Sequence, residues 1–150
     1  RLSFDPAADA LGMGGGGQGG VEEFTWLAAG TPPGANFGWS GLEGSREFVP
    51  ERIPDEHVLP VYEMDHTDGW CSVTGGVVYR GERIPGLDGA FVFGDYCRPQ
   101  VVAIRLADGE VVDEAELGVQ VASLTSVDQD ADGEVWLLSQ DGPIYRLDPA

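Results

Sequence analysis

Lysine is absent from this sequence, and its eight basic residues, all arginine, face 26 acidic ones, giving a net charge of −18. That balance excludes nucleic acid and anionic membrane surfaces as partners, because binding to phosphate is driven by Lys and Arg. No apolar run approaches the roughly 18 residues that span a bilayer. Cysteine occurs only twice, at Cys71 and Cys97, with no CxxC pair, so zinc ribbons and dithiol redox motifs are excluded. No stretch keeps an i, i+3, i+4, i+7 apolar pattern for three turns, which leaves no expected helix. No signal peptide is present, but the chain opens in mid-pattern, so one is compatible with an upstream segment.

The sequence is rich in glycine and aromatic residues. It holds 23 Gly, 10 Pro, four Trp, four Tyr and six Phe in 150 residues. This suits short strands joined by tight turns around a real core. β-rich runs are expected at 1–4, 21–27, 61–64, 72–80, 90–96, 101–106, 110–117, 123–127, 135–139 and 144–147. Asp108-Gly109, Asp132-Gly133, Asp141-Gly142 and Asp88-Gly89 punctuate them as turn signals. Gly12-Met13-Gly14-Gly15-Gly16-Gly17-Gln18-Gly19-Gly20 is either a mobile linker or a loop whose backbone approaches something closely. Residues 29–60 form a long irregular stretch, a length that is usually functional or packed on its own side chains.

Four strands in about 45 residues, then a fresh start, is the spacing of a β-propeller blade. The expected class is all-β, with about two and a half to three four-stranded blades. Residues 1–30 read as a partial blade, 31–60 as a long loop, 61–118 as a blade and 119–150 as a further partial blade. A β-sandwich is the plainer alternative. An incomplete ring leaves open edges, so the remaining blades or a second copy of the chain are the expected partners.

Several strings carry a family likeness. They include Asn36-Phe37-Gly38-Trp39 with Glu43-Gly44, Pro60-Val61-Tyr62-Glu63, and Cys71-Ser72-Val73-Thr74-Gly75-Gly76-Val77-Val78-Tyr79-Arg80-Gly81. Phe91-Val92-Phe93-Gly94-Asp95-Tyr96-Cys97, Asp130-Ala131-Asp132-Gly133-Glu134-Val135-Trp136 and Ile144-Tyr145-Arg146-Leu147 continue it. Together they resemble the C-terminal part of the glucose/sorbosone dehydrogenase family of six-bladed propellers. The resemblance implies oxidation of aldose-type sugars in a full-length parent, with pyrroloquinoline quinone (PQQ) over the propeller mouth and calcium polarising the quinone. The hedgehog-interacting proteins share the scaffold, so a non-catalytic module binding carbohydrate or protein is the alternative.

The resemblance also assigns residues. Calcium is expected at Gly17, Gln18 and Glu22, although glycines stand where relatives carry Asp. Gly17, Gln18, His66, Trp70 and Arg98 are the cofactor-side candidates, and the catalytic base His falls outside the chain. A cofactor-holding Arg-Asn pair would fall just before Arg1. The enzymes place Lys at the position of Cys97 and Arg at those of Thr125 and Asp128. PQQ is a tricarboxylate, so these losses weaken its site.

Cys71 and Cys97 sit at the same end of neighbouring expected strands. They read as a disulfide, implying a secreted or periplasmic protein, as two buried free thiols, or as a metal pair lacking partners. His66 lies in a loop leading to a blade's innermost strand. It is either a ligand-stacking group or a hydrogen-bonded loop residue, and its acidic neighbours favour the charged form. Asp128 to Gly133 matches half a calcium loop, but Ser139 stands where Glu is required, and an Asp-rich hairpin turn is the favoured reading. Trp39, Tyr79, Phe91 and Phe93 are expected between blades, and Asp95 is expected to cap backbone amides.

Overall fold

The computed structural model describes residues 2–149; Arg1, placed above in the first strand, lies outside them. Thirteen strands form three main sheets and one small hairpin, and the helical elements among the described residues are three short 3₁₀ turns. The first sheet runs β1 (Leu2–Asp5), β2 (Ala10–Gly15), β3 (Val21–Leu27) and then β6 (Tyr62–Asp65). The small hairpin, β4 (Leu42–Glu43) and β5 (Arg46–Glu47), lies within the insert between β3 and β6. The second sheet is β7 (Val73–Val78), β8 (Phe91–Asp95), β9 (Gln100–Ala107) and β10 (Glu110–Gln120). The third holds three strands, β11 (Leu124–Gln129), β12 (Val135–Ser139) and β13 (Ile144–Arg146).

The all-β, bladed expectation holds, with one shift in strand membership. Residues 61–64 were expected to open the second blade. Instead β6 pairs with β3, Val21 opposite Asp65 and Phe24 opposite Tyr62. Sequence distance hides this pairing because the 34-residue gap from Leu27 to Tyr62 folds outside the sheet. The turn signals act as expected. Asp108 and Gly109 take φ of 53° and 82° between β9 and β10, the geometry of a primed two-residue hairpin turn.

The glycine run is not a linker. Gly12, Gly14 and Gly15 are residues of β2, and a Cβ on Gly14 would stand 3.1 Å from Val73 Cγ1, so the missing side chain lets β2 approach β7.

The sheets pack face to face. β7 lies against β1 and β2 on one side and β11 on the other. Between the first two sheets sit Phe24, Met64, Trp70, Phe91, Phe93 and Ile104. Between the second and third sit Val77, Tyr79, Val92, Val101, Leu124, Val127 and Leu137. Phe24 stacks on Phe91 at 3.9 Å between centroids, filling the wedge between blades. Trp39 is a correction: it is 58% exposed and stacks on Phe48 of the insert. The insert, not a neighbouring blade, supplies its packing surface.

Candidate functional site

Antiparallel strands bring the β2–β3, β6–β7, β8–β9 and β10–β11 turns to one end of the blades. Cross-links tie that end together: Val121 N–H donates to the Pro99 carbonyl, and the Tyr96 hydroxyl bonds Gln140 Oε1 at 2.7 Å. The opposite end is closed by Arg80 to Asp5 and by Tyr79 to Glu134, at 2.7 and 2.8 Å.

Asp95 organises the turn end. Its carboxylate is 0% exposed and accepts N–H groups from Cys71, Ser72, Cys97 and Arg98. The expected capping role is thus fulfilled across two turns at once. The Cys71–Cys97 disulfide is formed, with Cα atoms 5.7 Å apart. Trp70 immediately precedes one cysteine and Arg98 follows the other. The clamp therefore sets their register, and the Arg98 guanidinium lies 4.6 Å from the Trp70 ring centroid. Arg98 also bonds Glu116 at 2.7 Å and keeps 26% of its side chain exposed. Trp70 is 5% exposed, held between Arg98 and Phe93, so neither face is open for a ligand. A cleft of about 610 Å³ beside them is lined by Asp68, Gly69, Arg98 and Gln100.

A second constellation surrounds Glu22, which is 1% exposed. His66 Nε2 lies 2.9 Å from Glu22 Oε1, Gly17 N–H donates to the same oxygen, and Val73 N–H donates to Oε2 at 2.9 Å. The hydrogen bond to Glu22 raises the His66 pKa above its ordinary value, against a smaller opposing effect of burial. Sequence proximity pointed to Asp65 and Asp68 as the acids acting on His66, whereas the deciding acid is 44 residues away. Asp65 instead caps Thr67 and pairs with Arg46, which hold its carboxyl well below the usual range.

Glu43, which the motif reading singled out only as part of a string, reaches the glycine loop from the insert. Its Oε1 accepts from Gly19 and Gly20 N–H at 2.7 and 2.8 Å and from Val21 N–H at 3.4 Å. Burial tends to raise its pKa, but these amides bring it below the ordinary value. Gln18 is exposed at the loop tip. Thus Gly17, Glu22 and His66 come together, Trp70 and Arg98 come together, and Gln18 faces solvent.

Thr125 donates to the Leu138 carbonyl, and Asp128 accepts from the Ser126 hydroxyl. The Asp-rich turn is a capped hairpin, with Asp130 accepting from Asp132 and Glu134 N–H and from Trp136 Nε1. Among the described residues, the one convergent group of three metal-ligand side chains is Cys71, Asp95 and Cys97, and its sulfurs are joined to each other.

A family model for glucose/sorbosone dehydrogenases matches residues 2–146. The chain belongs to that family. Two solved glucose dehydrogenases superpose on this dehydrogenase-family chain with TM-scores of 0.74 and 0.75 at 21% and 22% identity. Each alignment covers 99% of this chain but only 43% and 44% of theirs. The PQQ-bound aldose sugar dehydrogenase of Streptomyces coelicolor gives a TM-score of 0.66 at 18% identity, over 92% of this chain and 36% of that one. The HIPL1 protein of Arabidopsis thaliana is 33% identical over 75 residues, covering 41% of this chain and 11% of that protein. The dehydrogenase-family chain is therefore a partial propeller, spanning under half the length of its solved relatives.

Proposed function

We propose that this chain is the C-terminal part of an aldose-type sugar dehydrogenase, and that its turn end forms one side of the mouth where sugar and a PQQ cofactor meet. The observation that carries this reading is Arg98, held at that end beside a cleft by the disulfide, Asp95 and Trp70. When bound, a quinone cofactor takes the hydride of the sugar carbon. Arg98 fits one cofactor carboxylate, as a partly exposed guanidinium whose second partner, Glu116, is exposed. The remaining cations belong to the rest of the parent, because His66 is turned toward Glu22 and Arg46 toward Asp65. The loop expected to hold calcium does not fit that ion: its amide N–H groups converge on Glu22 and Glu43.

The test is reconstitution of the intact parent with PQQ, followed by dye reduction with aldoses. Arg98→Ala is expected to weaken PQQ uptake about ten- to a hundredfold, the worth of one charge-assisted bond. No uptake at micromolar PQQ would sink the dehydrogenase reading. The acidity of the chain favours one second reading, a non-catalytic propeller that binds neutral carbohydrate or protein; sugar binding without PQQ uptake would select it. The disulfide supports a secreted or periplasmic location. The open blade faces call for the remaining blades or a second copy as partners.

A further inference from the structure

The glycine loop between β2 and β3 has the wrong polarity for a cation. A calcium ion needs about six to eight oxygen ligands, commonly including carbonyls turned inward from a loop. Here the amides turn inward. Gly17 N–H points at Glu22, while Gly19, Gly20 and Val21 N–H converge on one oxygen of Glu43. Successive amides converging on one point make an anion-binding nest, and the anions come from this chain itself.

The loop conformation is built for this purpose. A Cβ on Gly17 would overlap the Val21 carbonyl oxygen at 1.8 Å and approach Glu43 Oε1 at 2.7 Å, so only glycine fits at that point. Glu22 is enclosed further by His66 Nε2 and Val73 N–H, which leaves both of its oxygens engaged by protein donors. His66 is itself fixed, its backbone N–H donating to the Gly20 carbonyl at 3.0 Å.

The nest also joins distant segments. Glu43 belongs to the 28–61 insert, and Ser45 and Arg46 beside it bond Glu63 and Asp65 of β6. Glu43, with Ser45 and Arg46, thus fastens the insert to the mouth end.

We propose that this loop is an amide nest closed on the chain's own Glu22 and Glu43, with the His66 ring N–H donating to Glu22, so that the loop and the insert fold without metal. The proposal rests on the dehydrogenase-type reading of the mouth, but its test needs neither cofactor nor turnover.

Calorimetric melting of the intact protein is compared in calcium and in chelator, alongside Glu22→Gln. The same melting temperature in both conditions supports the proposal. So does a calcium-dependent rise that Glu22→Gln leaves intact, since that rise originates outside the loop. A rise abolished by Glu22→Gln overturns it. Trypsin provides a second readout at Arg46 and Arg52, both exposed in the insert. Glu43→Ala is expected to speed cleavage there about tenfold, in calcium and in chelator alike, as the lost amide bonds raise the open population. Cleavage unchanged by Glu43→Ala, or faster in wild type after chelation, would refute it. Failure of PQQ uptake would leave these outcomes untouched, so the two readings fail separately.

Discussion

Single side chains at the blade junctions have consequences that can be measured. Asp5 lies almost fully buried between the first two sheets and accepts from Arg80 Nε and Nη2 at 3.0 and 2.7 Å. Burial raises its pKa, but the Arg80 bonds and the Ala7 N–H outweigh that and leave it below the ordinary 3.8. A carboxyl whose folded pKa is depressed stabilises the fold above its unfolded value, and that contribution is lost as pH falls through the folded value. Asp5→Asn is therefore expected to cost about 2 kcal/mol at neutral pH and to flatten the loss of stability below pH 3.8. Denaturant melts at several pH values check this; parallel curves for variant and wild type would contradict it. Gly76 is the other sensitive position. A Cβ there would stand 2.5 Å from Phe91 Cζ and 2.6 Å from the Val92 carbonyl oxygen. Because one obstacle is backbone, Gly76→Ala is expected to cost about 2 kcal/mol or more, at the upper side of overpacking costs. A melting temperature equal to wild type would show that β7 and β8 can separate locally.

Among the elements, the β7–β8 pair is the one flanked by a covalent cross-link. The disulfide encloses a 26-residue span, and closing such a loop in the unfolded chain is worth about 3.5 kcal/mol on the chain-entropy estimate. Replacing both cysteines by serine is expected to lower stability by roughly that amount and to loosen Arg98 while Asp95 keeps its four amides. Denaturant unfolding and the tryptophan emission of Trp70 report the two effects separately. An unchanged unfolding midpoint would contradict the first. Unreacted thiols in the purified protein would remove the link to an oxidising compartment. The insert shows where reading elements from sequence fails. Its two-residue strands and its exposed Trp39–Phe48 stack carry no period that marks them, and the β3–β6 pairing around it is a long-range contact. The second and third sheets were legible because tight turns with Gly109, Gly133 and Gly142, each glycine at positive φ, set the limits of alternating strands.

At the scale of the molecule, the arc ends in open faces. Leu2 and Phe4 point away from the second sheet and are 67% and 55% exposed. They border an apolar groove of about 490 Å³ with Leu11, Met13 and Leu27. At the other end, Trp136, Leu138 and Ile144 share the outer face of the third sheet. Surfaces of this kind are buried in a complete ring. The chain expressed alone is expected to associate and to bind a hydrophobic dye, more so as salt is raised. Its charge of −18 opposes association, but physiological salt screens that repulsion beyond about 8 Å. Light scattering that gives a dye-silent monomer at all salt concentrations would argue against it.

The sequence by itself determined the class of fold, most strand limits, the family likeness and the amide-capping role of Asp95. Each of these rests on local alternation, turn residues or a contiguous string. The tertiary structure alone decided which groups meet: Glu22 with His66 across 44 residues, Glu43 with the glycine loop, and Arg98 with Trp70 across the disulfide. Such meetings depend on how far the sheets turn and where an insert folds back. Local propensity does not encode those distances.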